Sequence, residues 1–197
     1  MTKTQDLQNI KQHILDNNVC PELASQATQL VFGSGNPDAN IVFIGEAPGK
    51  NEDLVGEPFV GKAGHLLDDM LQSVHIDRNQ IYITNIVKYR PPKNRDPLPQ
   101  EKSAFWPYLQ KQLAIIKPKL VITLGRHSMA MFVPQGKISE LHGTTQEIII
   151  QDTDQPFKCT LLTLYHPSAA IYRGSVKKAL MQDFSTIPNL LAKLNKE

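Results

Sequence analysis

Four short, strongly apolar runs begin about 40 residues apart, at 41–44, 81–87, 120–124 and 159–164, and this rhythm constrains the chain more than any other feature. Three of them are continuous rather than alternating, as strands buried on both faces are. The run at 81–87 is interrupted by Thr84 and Asn85. Helical periodicity fills the gaps. Ala63, Leu66, Leu67, Met70, Leu71 and Val74 form one apolar stripe; Phe105, Tyr108, Leu109, Gln112 and Ile116 form most of another. Strand–helix–strand alternation calls for right-handed crossovers. The predicted fold class is therefore α/β: a three-layer αβα arrangement around a central, mostly parallel four-stranded sheet. Residues 147–150 are expected to add an edge strand or hairpin.

The flanks are helical. Leu7, Ile10, Ile14 and Leu15 share one face of a first amphipathic helix, and Pro21 opens a second that runs toward Leu30. Residues 33–38, GSGNPD, read as a turn cluster. The segment 175–196 reads as helix, broken near Pro188. A chain of 197 residues with no long linker is expected to form a single domain, 1–197, with residues 1–30 as a helical arm packed on it. No apolar run is long enough to span a membrane, and the N-terminus lacks the apolar core of a secretory signal, so a soluble, cytoplasmic protein is expected.

In an open parallel sheet, ligands bind beyond the carboxyl ends of the strands. The first run ends in Gly45-Glu46-Ala47-Pro48-Gly49 and the second carries Asn85. The third ends in Gly125-Arg126-His127 and the fourth in Tyr165-His166-Pro167-Ser168. Glu46, Asn85 and His166 are thus predicted to meet on one rim, where a carboxylate, an amide and an imidazole make a workable site. Each has a plainer reading. The glycine-rich segment also suits a tight βα turn, Asn85 a buried amide bonded to a loop, and His166 a residue orienting a helix that starts at Pro167. The spacing around Gly49-Lys50 is one residue short of a P-loop, and Asn51 replaces the magnesium-binding hydroxyl.

Net charge is only +2, so any polyanion site must come from local clustering. The segment KYRPPKNRDPLP, 88–99, supplies one. Lys88, Arg90, Lys93 and Arg95 face a single Asp96, and four prolines stiffen the loop. Preordered cations lose little entropy on meeting a phosphate backbone; a solvated Pro-rich connection is the alternative.

These residues resemble the family 4 uracil-DNA glycosylases. The similarity runs through VFGSGNPDANIVFIGEAPGKNED (31–53), GEPFVGKAGHLLDDML (56–71), IYITNIVKYRPPKNRDPLPQE (81–101), IKPKLVITLGRHS (116–128) and LYHPSAAIYR (164–173). The resemblance implies uracil-containing DNA as partner and a monofunctional glycosylase that flips uracil out, cuts its N-glycosidic bond and leaves an abasic site. It implies that Phe59 stacks on the flipped base and that Asn85 reads its Watson–Crick edge. His166 then donates to uracil O2, with the backbone of Gly45 and Ala47 assisting. Glu46 positions water or stabilises the cationic sugar, or else shapes the pocket; Asp53 is a secondary candidate, better suited to capping its turn. Lys88, Arg90, Lys93, Arg95, Ser168 and Arg173 are the expected DNA contacts, with Arg173 or Ile171 filling the gap left by the extruded base.

One departure stands out. Members of this family carry a [4Fe–4S] cluster on four cysteines, and this chain has two, Cys20 and Cys159. Tyr89 and Trp106 stand where two of the ligands belong. No cofactor is expected, nor any metal, since none of His13, His65, His75, His127 and His142 shows ligand spacing. The expected form is a monomer. A non-catalytic DNA- or uracil-binding protein of the same fold and a nucleotide hydrolase are the competing classes; the missing P-loop counts against the latter.

Overall fold

The computed structural model describes residues 2–151 and 155–196. The chain folds as a mixed α/β structure around one six-stranded sheet. Its strands are β1 (Ser34–Gly35), β2 (Ile41–Gly45), β3 (Tyr82–Asn85), β4 (Leu120–Leu124), β5 (Thr145–Ile150) and β6 (Phe157–Leu164), in the spatial order β1-β3-β2-β4-β6-β5. The four runs read from the sequence are the four central strands, and all neighbours among them pair in parallel. The expected count of four is too low, because an antiparallel strand closes each edge. The edge strand expected at 147–150 starts two residues earlier, at Thr145. β1 was not foreseen: two residues inside a glycine-rich turn give no alternation to read.

The helices are α1 (Lys3–Asp16), α2 (Pro21–Ala24), α3 (Lys50–Val55), α4 (Lys62–Ser73), α5 (Pro99–Ile116), α6 (Arg126–Ala130), α7 (Ile138–Leu141), α8 (Pro167–Tyr172), α9 (Gly174–Ser185) and α10 (Ile187–Leu194). Alternate side chains of each central strand enter opposite cores. Val42, Ile44, Val121 and Leu161 pack with Leu7 and Ile14 of α1 and Phe105, Leu109 and Leu113 of α5. Ile41, Phe43, Ile122 and Leu162 pack with Leu67, Met70 and Leu71 of α4 and with Leu180, Phe184 and Ile187 near the C-terminus. Helices therefore cover both faces of the sheet, which is why its central strands carry no polar face.

The N-terminal reading needs two corrections. Leu15 is 43% exposed, one position off the buried stripe of Leu7 and Ile14. α2 stops after one turn, at Ala24, where Ser25, Gln26 and Thr28 turn their polar groups on nearby backbone and on Asp53 instead of extending the helix. The break near Pro188 falls at Thr186, which puts Pro188 in the first turn of α10, where its missing N–H costs nothing.

Candidate active site

The carboxyl ends of β2 and β3 lie in register, Gly45 opposite Asn85. Gly45 has no side chain because there is no room for one. A Cβ there would sit 2.3 Å from the Asn85 Oδ1 and 2.7 Å from the Phe59 ring. The glycine thus lets an amide and an aromatic ring close over the strand end. Asn85 is only 2% exposed, and its side chain lines the cavity described below.

Phe59 is held as firmly. Its backbone is left-handed, with φ of 55°, an uncommon conformation for a bulky residue. Arg78 fixes it by donating from Nη2 to the carbonyls of Pro58 (2.9 Å) and Phe59 (3.0 Å), while pairing with Asp68. Gly64 leaves space for that loop, since a Cβ on it would meet the Phe59 carbonyl at 1.9 Å. Glu52 ties this wall to the opposite one. Its Oε1 accepts from the amides of Val60 (3.0 Å) and Gly61 (2.8 Å), and its Oε2 accepts from Gly49 (3.1 Å).

His166 follows β6 and caps α8. Its Nδ1 accepts from the Ser168 amide at 3.1 Å and lies 2.7 Å from the Ser168 hydroxyl. An accepting Nδ1 puts the ring proton on Nε2. Burial pushes the imidazole down to about 4, so it is neutral, and its ring lies 5.7 Å from that of Phe59 at a small interplanar angle. The plainer reading of His166, a residue orienting the helix that starts at Pro167, matches this cap, which also fixes the tautomer. A cavity of about 260 Å³ opens between these walls, lined by Glu46, Pro48, Phe59, Asn85, Arg95 and His166 among others.

Glu46 sits where this cavity meets a wider groove of about 530 Å³, whose walls include Asp96, Arg126, His127, Tyr172 and Arg173. Burial raises the Glu46 carboxyl to about 7, and the nearby Asp96 adds to the rise against the pull of Arg126 and Lys102. Its Oε2 lies 3.9 Å from the His127 Nε2. Glu46, Asp96 and His127 bring potential ligand atoms within 4.8 Å of one another, yet the Arg126 Nη2 already donates to the Asp96 Oδ2 at 2.8 Å, so a metal would compete with a guanidinium.

The basic loop differs from expectation at its first residue. Lys88 is fully buried, donating to the Thr84 Oγ1 (2.6 Å), the Asn85 carbonyl (2.8 Å) and the Gln112 Oε1 (2.5 Å). Burial holds its ammonium well below the usual lysine range. Contrary to expectation, Lys88 is therefore out of reach of a phosphate backbone. Lys93 is exposed, and the Arg90 Nε donates to Asn94. Arg95 lines the cavity but is gripped by the buried Glu101 through both carboxylate oxygens, at 2.6 and 2.9 Å. Ser168 and Arg173 are exposed at the groove. Asp53 faces away from the cavity. It is buried and accepts from the Thr28 amide and hydroxyl, anchoring the N-terminal arm to α3. Sequence reasoning passed over Glu52, Arg78 and His127; of these, only His127 carried a signal, its position just beyond a strand end.

Tyr89 packs in the core against α5, and Trp106, on α5 itself, packs partly buried against the same core. Tyr89 meets Phe105 edge-on at 5.9 Å, and Trp106 meets Phe132 at 5.1 Å. Cys20 packs partly buried against the same core, and Cys159, on β6, has its thiol pushed up to about 12 by burial. Two protonated thiols among aromatic rings do not fit a cluster that needs four thiolates.

The uracil DNA glycosylase superfamily profile matches residues 32–185. A type-4 uracil-DNA glycosylase from Sulfurisphaera tokodaii is 41% identical over 197 residues, covering 93% of this chain and 84% of that protein. One from Archaeoglobus fulgidus is 40% identical over 195 residues, covering 96% and 95%. One from Thermotoga maritima is 41% identical over 138 residues, covering 70% and 71%.

Proposed function

The chain belongs to the uracil DNA glycosylase superfamily, and from that premise we infer that it excises uracil from DNA. The observation that carries this reading in the chain itself is the Asn85 amide lining a slot walled by Phe59 and His166. Uracil presents an N3–H donor beside an O4 acceptor, which an amide oxygen and NH₂ match together. Cytosine reverses the pattern and leaves both buried groups unpaired, at about 1–3 kcal/mol each.

Phe59 stacks on the flipped ring. The Nε2–H of neutral His166 donates to uracil O2, where negative charge grows as the glycosidic bond breaks, so the contact is stronger in the transition state than before it. The backbone of Gly45 and Ala47 lines the same edge. Glu46, poised near neutral pH, accepts a proton from the water that attacks C1′. The product is an abasic site. Arg90, Lys93, Arg95, Ser168 and Arg173 contact the DNA backbone, and Arg173 or Ile171 enters the gap in the duplex. The enzyme works without an iron–sulfur cluster, because its aromatic residues take up the volume and its thiols are too few. It acts as a cytoplasmic monomer, one domain with residues 1–30 as its arm.

Incubation with an oligonucleotide bearing one uracil, followed by alkali, tests the reading. Strand scission at the uracil position is expected. Tight binding of the same oligonucleotide without scission would favour a non-catalytic binder of the same fold.

A further inference from the structure

His127 faces the active rim, yet neither base recognition nor leaving-group stabilisation uses it. Its Nε2 has three polar neighbours, and a fourth charged group acts from farther away. Glu46 lies at 3.9 Å and Asp96 at 3.1 Å, the Arg126 Nε donates to it from 3.0 Å, and Lys102 adds positive charge. His166 is the other imidazole within its field. The two close contacts at Nε2 ask for opposite protonation states. Unprotonated, the nitrogen accepts from Arg126; protonated, it donates to Asp96. A side chain with a partner ready in either state is built to take up a proton and release it.

We propose that His127 is the positioning residue behind Glu46, accepting the proton that Glu46 draws from the attacking water and passing it to solvent on the Asp96 side. The proposal deepens the uracil-excision reading and rests on it. The step balances. The water oxygen bonds to C1′ while the C1′–N1 bond breaks, and its electron pair leaves on uracil, held at O2 by His166. One water proton goes to the Glu46 carboxylate. A small rotation of that carboxyl closes 3.9 Å to hydrogen-bond distance, and the proton moves to the His127 Nε2. The imidazolium turns its N–H to Asp96, which is open to solvent, and Glu46 is again ionised for the next turnover. Burial lowers the His127 imidazole, which makes it quick to release what it accepts.

The test is the pH profile of single-turnover uracil release at saturating DNA for the wild type, His127→Gln and His127→Ala. With His127→Gln, the maximal rate is expected to fall about tenfold, because the proton that Glu46 takes up loses its exit. Free imidazole should restore most of the loss in His127→Ala. A His127→Gln profile that superimposes on the wild type, or a His127→Ala enzyme indifferent to imidazole, overturns the proposal. A second measurement needs no turnover: the NMR titration of His127 should shift to lower pH in Glu46→Gln, and an unmoved midpoint counts against the pair. If the wild type releases no uracil, the excision reading itself fails and this proposal falls with it. An active wild type with an unresponsive His127 sinks the proposal alone.

Discussion

The tasks proposed for Asn85, His166 and Glu46 rest on three different surroundings, and each predicts a measurable consequence. Asn85→Asp replaces an NH₂ donor by a carboxylate oxygen that faces uracil O4, so single-turnover excision should fall by about 100-fold or more, with folding intact. Unchanged kinetics would remove Asn85 from base recognition. The pH dependence follows from the two shifted groups. His166 titrates near 4 and is neutral across the working range, so it gives no limb there. Glu46 must be ionised to accept a proton, so the rate should climb as pH rises through about 7 and level off above it. For stability the sign is reversed. Between the ordinary carboxyl value of 4.5 and about 7, the folded state binds the extra proton, so this residue's contribution to stability declines as pH rises through that window. A rate profile that stays flat from pH 5 to 9 would dissociate Glu46 from the proton transfer. At this scale the sequence was informative where chemistry and placement coincide. Gly45 and Asn85 end apolar strands, and Glu46 and His166 stand just beyond them. Glu52 and Arg78 were silent because their work is to hold backbone from a distance in sequence, Glu52 reaching eight and nine residues ahead and Arg78 about twenty behind.

The Pro-rich segment between β3 and α5 shows why a charge run read as an element misleads. Its four cations have four environments: one buried, one bonded along the loop, one exposed and one paired. Lys88→Met should leave the salt dependence of DNA binding unchanged. It strands three buried acceptors, costing at least about 2 kcal/mol, or roughly 4–8 °C of melting temperature. Lys93→Ala should do the opposite, keeping the melting temperature and lowering the salt slope by about one unit. If Lys88→Met weakens DNA binding while the fold keeps its stability, the buried network is misread. The strands were legible because continuous apolar runs leave little else for them to be. The two-residue β1 and the single turn of α2 were not, since elements that short carry no period and owe their existence to neighbours already in place.

For the molecule as a whole, the resemblance implies a metal cluster and the proposed function dispenses with it. Tyr89, Phe105, Trp106 and Phe132 form edge-on aromatic pairs at the core shared by α1 and α5, and on the proposed reading this packing supplies what ligand bonds would otherwise supply. The protein should therefore purify colourless, and a strong chelator should leave its melting temperature and activity unaltered. A brown protein that bleaches and unfolds together on chelation would show that the cluster is retained. The layered plan was legible from the rhythm of apolar runs, whereas the closeness of Phe59 to His166 was legible only through the resemblance, because it depends on a loop and a strand end more than a hundred residues apart. The most direct test of the account is a single-turnover time course of uracil release from saturating DNA by chelator-treated wild type beside His166→Ala. The prediction is complete release by the wild type, and unaltered DNA affinity with release slowed by roughly 100- to 1000-fold in His166→Ala, as for loss of one donor to a developing anion. A wild type that binds but releases nothing, or a His166→Ala enzyme that keeps pace with it, would contradict the account.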